Sequence, residues 1–356
     1  MSPADPPRYP FHGLHRFVAE ALTRLGMPPG DAGIVATILL DADLAGVDTH
    51  GIANLPSHAH YARGLKSGAV DPTAEPIVLR DSPVAAAWDS NRAFGLLTAY
   101  RAMEAAIAKA EAVGVGMVTI RDARHFGAGG YYAEMAVHHG MIGMVASNTP
   151  PAGIPPGGTT PLVGTNPLAF AAPAGEGPPF VVDLAMTVVS GTKAMVEAAA
   201  GNPVPPGWFV GPDGNPNTDP NTLRTGGLEM VGGQLAGHKG FGLALMVDTL
   251  GILAGNGSGL WQTAFGDSWS QGQWFAAWRI DLFIDPDEFL AEMQRLVDHV
   301  QGSPARPGER VIMPGRRRAD SRADRMATGV PISQKVTARL LRLAEETGAG
   351  FPAPLG

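Results

Sequence analysis

Asp41-Ala42-Asp43-Leu44-Ala45-Gly46-Val47-Asp48-Thr49-His50-Gly51 ends an amphipathic helix, breaks at Gly46, and then presents an acid, a hydroxyl and an imidazole before a second glycine. The helix upstream reads from Asp31 as N-cap, with Ile34, Val35, Ile38 and Leu39 on its buried face. A histidine just past a helix, flanked by glycines that let the backbone turn, can be held in a cleft with one ring nitrogen oriented and the other free. His50 is therefore a candidate proton donor or acceptor; a surface or structural histidine is the plain alternative.

Working outward, Leu14, Phe17, Val18, Leu22 and Leu25 recur at helical spacing and stop at Gly26. Residues 55–65 read as a further short helix, so the first 70 residues form a small helical unit. From Thr98 the pattern changes to alternation. Helices are expected at 98–113, 129–138, 187–200, 238–253 and 286–300, and strands at 115–120, 141–146, 168–172, 180–182 and 278–284. Such alternation argues for an α/β domain. The last helix, 333–346, carries Val336, Leu340, Leu343 and Ala344 on one face and is expected to pack back on the N-terminal helices. The expected organisation is a helical domain from 1–80 plus 318–356, and an α/β domain from 81–317.

The composition narrows the function classes. In 356 residues, 45% are hydrophobic and 17% charged, as in ordinary globular proteins. Lys+Arg 26 against Asp+Glu 33 gives a net charge of −7, so no basic surface advertises nucleic acid or an anionic membrane. Cysteine is absent, which excludes a disulfide scaffold, thiolate metal sites and a cysteine nucleophile, and fits a reducing cytoplasm. Residues 1–7 show no basic region followed by an apolar core, so no secretory signal is expected. The apolar run 241–254 contains Asp248 and is too short to span a bilayer.

Several stretches carry chemistry. Arg121-Asp122-Ala123-Arg124-His125-Phe126-Gly127-Ala128-Gly129-Gly130 follows a buried strand and leads into a helix, where exposed backbone amides suit a phosphate or carboxylate. An ordinary tight turn is the bland reading, and no G-x-G-x-x-G is present. Residues 157–167 form a long loop rich in hydroxyl and amide groups, as binding loops are. Asp183 follows Phe180-Val181-Val182 at the end of a strand, where α/β folds place ligands, or else it caps the next helix. Gly237-His238-Lys239-Gly240-Phe241-Gly242 sets a lysine against the positive end of a helix, which makes sense if an anion sits between them. Gly315-Arg316-Arg317-Arg318 follows the strand-like 311–314 and reads locally as a solvated basic turn. His58-x-His60 and His138-His139 lack a companion carboxylate at metal-ligand spacing, so no metal site is expected.

Together these stretches resemble the type 2 malate/L-lactate dehydrogenase family, also called the malate/sulfolactate dehydrogenase-like oxidoreductases. The matching pieces are residues 43–51, Arg124-His125-Phe126-Gly127, Gly164-Thr165-Asn166-Pro167, Asp183-Leu184-Ala185-Met186-Thr187, Pro206-Gly207-Trp208, residues 214–220, His238-Lys239-Gly240-Phe241-Gly242 and residues 311–315, in the family's order. The resemblance implies a three-layer α/β fold with a mixed sheet, distinct from the Rossmann fold, plus a helical domain built from both termini. It implies a cytoplasmic homodimer that uses NAD or NADP to interconvert a 2-oxo acid, or a related imine, and a 2-hydroxy acid. It makes His50 the leading candidate for proton transfer, assisted by Thr49, with His125 carried as the second candidate. Gly127, Ala128, Thr165, Asp183, Leu184, Ala185, Lys239, Gly315 and Arg316 would line the cofactor, and Asn54 and Thr149 the substrate.

Two departures from the family pattern bear on specificity. Many relatives have arginine where this chain has Asn54, a residue suited to bidentate capture of a carboxylate. Relatives also usually follow the glycine at 315 with an acid, and here Arg316 and Arg317 are expected to favour an NADP 2′-phosphate. The competing readings are a binding homologue that has lost turnover, hinted at by Asn54, and a zinc hydrolase using His58, His60 and His125. Retention of both His50 and Lys239 favours the dehydrogenase.

Overall fold

The computed structural model describes residues 6–200, 203–219, 221–222, 225–259 and 269–356; residues 1–5, read above for a targeting signal, and Pro220 at the end of the 214–220 motif lie outside them. Strand β1 (Arg8–Tyr9) leads into helices α1 (Phe11–Arg24) and α2 (Pro29–Leu44), a 3-10 turn at Ile52–Asn54, and α3 (Ala62–Ser67). α1 buries Leu14, Phe17, Val18 and Leu22, as its spacing predicts, and the chain reverses at Gly26 with φ 96°. α2 begins three residues earlier than expected, because Pro29 at its first position has the helical φ already set. Asp31 is then a first-turn acid paired with Arg101 at 3.0 Å. In place of the helix expected over 55–65, turns lead from the 3-10 turn to the short α3, which begins at Ala62; Pro56 cannot donate to a helical ladder.

The α/β part contains β2 (Ile77–Asp81), β3 (Ala85–Asp89), α4 (Gly95–Val113), β4 (Val115–Ala123), α5 (Gly129–Val137), β5 (Met141–Ser147), β6 (Leu168–Ala172), β7 (Phe180–Leu184) and α6 (Gly191–Ala200). It continues through β8 (Phe209–Val210), β9 (Pro216–Asn217), β10 (Gly227–Leu228), α7 (Gly233–Leu253), β11 (Gln271–Arg279) and α8 (Pro286–Gln301). α9 (Arg316–Thr328), β12 (Val330–Pro331) and α10 (Gln334–Thr347) complete the chain.

Seven strands form one mixed sheet in the order β2-β3-β4-β11-β5-β6-β7. Among the described residues only β3 and β4 pair in parallel, and α4 makes the crossover that a parallel pair requires. The remaining neighbours are antiparallel, unlike the parallel, doubly wound dinucleotide-binding sheet. α4 and α5 pack on β4, β11, β5 and β6, and α7 packs on β11 and β5, so the central strands are covered by helices.

Residues of α1, α2, α4, α5, β4, β11 and α10 share one core; Phe17, Phe94, Phe126, Tyr132 and Phe275 are among its largest fully buried side chains. β1 pairs with β12, and Leu340 and Leu343 of α10 join the core of α1 and α2, so both termini build the helical part. The pairing of β2 with β3 has no signature in the sequence, because β2 is exposed along its length and its Ile77-Val78-Leu79 run does not alternate. The last sheet strand lies at Gln271–Arg279 rather than 278–284, with a 3-10 turn at Ile280–Leu282 after it. α6 starts at Gly191, not 187, since Thr187 bridges to Met230. Residues 311–314 form no strand, although the Pro314 carbonyl accepts the Val181 amide at 3.3 Å beside β7.

Candidate active site

The turn after α2 is built from polar contacts that leave the His50 ring held from one side. The Asp43 carboxylate lies under it, 4% exposed, and accepts the Ile52 amide at 2.7 Å. A Cβ on Gly51 would fall 2.1 Å from Asp43 Oδ1, so the glycine is required by close approach. Burial pushes the Asp43 carboxyl up to about 8, so it is protonated at neutral pH. Asn54 Nδ2 donates to the Thr49 carbonyl at 2.7 Å. Thr49 Oγ1 lies 2.9 Å from His50 Nδ1, which orients the ring and leaves Nε2 for chemistry. Arg325 of α9 grips the same turn through Asp48 and the Asp43 carbonyl.

His125 arrives from the end of β4. Its ring stacks beside His50 at 5.7 Å and on His58 at 4.3 Å, and its Nδ1 lies 2.6 Å from the Tyr61 hydroxyl. The His125 amide donates to His60 Nδ1 at 3.1 Å, and the His60 amide donates to His58 Nδ1 at 3.2 Å. The four imidazoles therefore form one cluster. Burial lowers all of them: His58 to about 4, His60 to about 3, and His125 and His50 below the ordinary value, with neighbouring imidazoles adding to the effect on all but His50. For His50 the Asp183 carboxylate pulls the other way. Burial also holds the Tyr61 phenol well above its usual range, so it keeps its proton.

The sequence pairs His58 with His60, and groups them with His125 only as the zinc-hydrolase alternative; it places Tyr61 in a helix. Their partners lie 64 and 65 residues away, and no local spacing reveals such pairings. His58 and His60 accept backbone amides at Nδ1, and among the described residues no group of three His, Asp or Glu side chains is arranged to hold a metal ion.

Gly127 is buried and takes φ 78°; a methyl group on its Cα would be in ordinary contact with Leu96, Tyr61 and the His50 carbonyl, at 3.9 to 4.0 Å. The amide at the start of α5 is engaged by the protein itself: Gly130 N–H donates to Asp183 Oδ2 at 2.8 Å. Asp183 does not cap α6, which begins at 191; it faces Gly130, Arg318 at 3.8 Å and, electrostatically, His50. Leu184 beside it is 56% exposed, and Ala185 follows half-buried. Thr149 and Thr165 meet through their hydroxyls at 3.3 Å, held by Asn166, whose side chain accepts the Thr149 amide at 2.9 Å.

The structure brings Thr49, His50, His125, Gly127 and Asp183 together, with Ala128 at the N-cap of α5 beside them. Lys239 is exposed just past a break in α7 at Ala236, where φ is −138°, so it stands near a renewed helix start. Gly315, at φ 97°, is the N-cap of α9, and Arg316 pairs with Asp320 at 2.8 Å. Arg318 is no solvated turn residue: it is 11% exposed and contacts Glu134 at 2.9 Å, with Asp41 and Asp183 each at 3.8 Å. Neither Lys239 nor Arg316 contacts the histidine cluster among the described residues. A cavity of about 840 Å³ opens beside Thr49, Asn54, Ser57 and His58, between the helical part and α6. Thr49 and His58 are in its wall and His50 and His125 are not; an oriented neutral imidazole such as His50 can take a proton from a bound hydroxyl.

The model of the malate/L-lactate dehydrogenase family matches residues 9–341. The structure of malate dehydrogenase from Pyrococcus horikoshii superposes with a TM-score of 0.87 at 34% identity, covering 97% of this chain and 96% of that one. L-sulfolactate dehydrogenase of Methanothermobacter thermautotrophicus is 35% identical, over 93% of this chain and 94% of the relative. A delta(1)-pyrroline-2-carboxylate reductase of Burkholderia ambifaria is 31% identical, over 93% and 96%.

Proposed function

Because the chain belongs to the malate/L-lactate dehydrogenase family, we propose that it interconverts a 2-oxo acid or a related imine and its reduced partner with NAD or NADP, using His50 for proton transfer. The observation that carries this reading is the Thr49–His50 contact at 2.9 Å, set beside His125 and Asp183. The residues fit a dinucleotide. Gly127 brings a backbone without a side chain close to the His50 carbonyl, exposed Leu184 offers an apolar wall for a ring, and Lys239 is an exposed cation without an ion-pair partner among the described residues. Gly127, Ala128, Asp183, Leu184, Ala185 and Lys239 would hold it, with Gly315 and Arg316 at the far end of β7. When bound, the nicotinamide supplies or accepts the hydride.

The chain's own residues handle the proton. Neutral His50, its Nδ1 tied to Thr49, accepts the hydroxyl proton at Nε2 as an alcohol is oxidised. In reduction it carries that proton first, and the Asp183 carboxylate favours the charged form. Tyr61 lies 2.6 Å from His125 Nδ1 and keeps its proton; with that proton donated to Nδ1, neutral His125 carries its own on Nε2 as a hydrogen-bond donor toward the substrate oxygen. Thr165 and Thr149 add hydroxyl donors. Asn54 is engaged with the Thr49 carbonyl, so it supports the turn and cannot replace an arginine at a carboxylate.

Exposed apolar side chains on β2 (Ile77, Val78, Leu79) and α7 (Leu243, Met246, Leu253) support a homodimer, and the absence of cysteine fits the cytoplasm. The test is oxidation of NADH and NADPH with 2-oxo acids and cyclic imines, wild type against His50→Gln. Loss of about 10²-fold or more in kcat is expected on removing the acid/base group. Full activity of His50→Gln refutes the assignment.

A further inference from the structure

The His125 ring can serve a substrate only if the backbone that carries it is fixed. Residues 124–128 join β4 to α5 outside both elements, so neither a sheet ladder nor a helix orders the peptide between Arg124 and His125. Side chains do so instead. His60 Nδ1 accepts the His125 amide at 3.1 Å, and Gln273 Nε2 donates to the Arg124 carbonyl at 2.9 Å. The two polar atoms of a trans peptide point in opposite directions, so the pair clamps it from both sides.

The anchors come from different parts of the fold. His60 is 1% exposed beneath Trp269, with ring centroids 4.4 Å apart, in the segment that also brings Tyr61 and His58 to the His125 ring. Gln273 is fully buried in β11, where its backbone pairs with Ile120 of β4 and Ser147 of β5. Gly95 at the start of α4 closes on the same stretch: a Cβ there would fall 2.4 Å from the His125 carbonyl oxygen and 2.6 Å from that of Arg124. A core built for stability alone would fill the positions of His60 and Gln273 with apolar side chains. Among the described residues His60 Nε2 and Gln273 Oε1 have no hydrogen-bond partner, so each residue bears the cost of a buried unsatisfied group. The other polar atom of each lies on the peptide of His125. Burial lowers the His60 pKa to about 3, so the ring stays neutral and Nδ1 stays an acceptor.

We propose that His60 and Gln273 are positioning residues, which together hold the Arg124–His125 peptide and thereby set the His125 ring against Tyr61 and His50. The inference rests on the dehydrogenase reading above and deepens it, since both residues act on the reaction through His125.

The experiment compares three variants with wild type: His60→Leu, which removes the acceptor; His60→Asn, whose Oδ1 can occupy the place of Nδ1; and Gln273→Met, which removes the donor at similar length. His60→Leu and Gln273→Met are expected to lower kcat about tenfold or more while KM for the cofactor stays within about twofold, and His60→Asn to recover most of the loss. Because both side chains hold one peptide, the His60→Leu/Gln273→Met double variant should fall no further than the worse single one. A clamp that serves the fold alone lowers urea midpoints and leaves the kcat of the folded enzyme as it was. Wild-type kcat in either folded single variant, a His60→Asn enzyme no better than His60→Leu, or fully additive losses overturn the inference. If His60→Leu does not fold, His60→Gln, whose polar atoms lie beyond the Nδ1 position, takes its place under the same criteria. If wild type turns over no acid or imine, the dehydrogenase reading fails, and hydrogen exchange at the His125 amide decides the clamp by itself. Faster exchange in the variant without the acceptor than in His60→Asn upholds it; equal exchange overturns it.

Discussion

At the scale of single residues, the His50 turn shows how far chemistry can be read locally. The acid, hydroxyl, imidazole and glycine of residues 48–51 identify a held histidine, and the contact from Thr49 to Nδ1 is a neighbour interaction that adjacency implies. Tyr61 carries no such signal, since its partner is 64 residues away. As a positioning residue it acts through the His125 tautomer. Tyr61→Phe is expected to lower kcat about tenfold or more with little change in the KM for cofactor, because the ring is no longer fixed with its proton on Nε2. In the alkaline direction the wild type should oxidise alcohols better as pH rises through the depressed His50 pKa, below 6.5, and reduce oxo acids less well. Steady-state kinetics over pH check both statements; a Tyr61→Phe enzyme with wild-type kcat removes Tyr61 from the proposed site.

At the scale of elements, α9 separates what a charge pattern says from what it cannot. Gly315-Arg316-Arg317-Arg318 looks like one basic run, but helical geometry points its members to different surroundings. Arg316 is half-exposed and pairs along its own helix with Asp320, whereas Arg318 reaches Glu134 on α5 together with Arg322, which also holds Asp41 on α2. Glu134 is 7% exposed at its side chain, so its charge depends on both arginines. Arg318→Ala leaves Glu134 with Arg322 alone and removes the cation facing Asp183, so it is expected to destabilise by about 2 kcal/mol in urea unfolding. Arg316→Ala removes only a surface i,i+4 pair and should cost less than about 0.5 kcal/mol, while the Arg316→Ala/Arg317→Ala pair lowers kcat/KM for NADPH relative to NADH. Equal destabilisation by the two single substitutions would show that the network does not fasten α9. The helices of this chain are legible because their apolar spacing is local; the β2–β3 edge pair and the 271–279 strand are not, because exposed or doubly buried strands do not alternate.

At the scale of the whole molecule, the helical part and the sheet meet at a cluster of groups held away from their ordinary ionisation, and that ties stability to pH. In the unfolded chain His58 and His60 take up protons near 6.5, but in the native state not until about 4 and about 3. Between these values the unfolded state binds more protons, so the native state loses stability as pH falls below 6.5, and His50 and His125 add to the same limb. Asp43 acts in the opposite sense. Its unfolded carboxyl ionises near 3.8 while the native one keeps its proton to about 8, so it costs stability as pH rises through that window. Above 6.5 Asp43 acts without the histidines, which places the stability maximum from these groups near pH 6.5. At ~1.4 kcal/mol per pH unit, Asp43→Asn, which preserves an acceptor for the Ile52 amide, should remove at most about 2 kcal/mol of the loss between pH 6.5 and 8. His60→Gln should remove a similar amount of the loss between pH 6.5 and about 5. Urea midpoints at the three pH values read both limbs. An alkaline limb as steep in Asp43→Asn as in wild type would mean that the carboxyl under the His50 turn is ionised in the folded protein, and that the turn is held by charge instead of by a neutral acid.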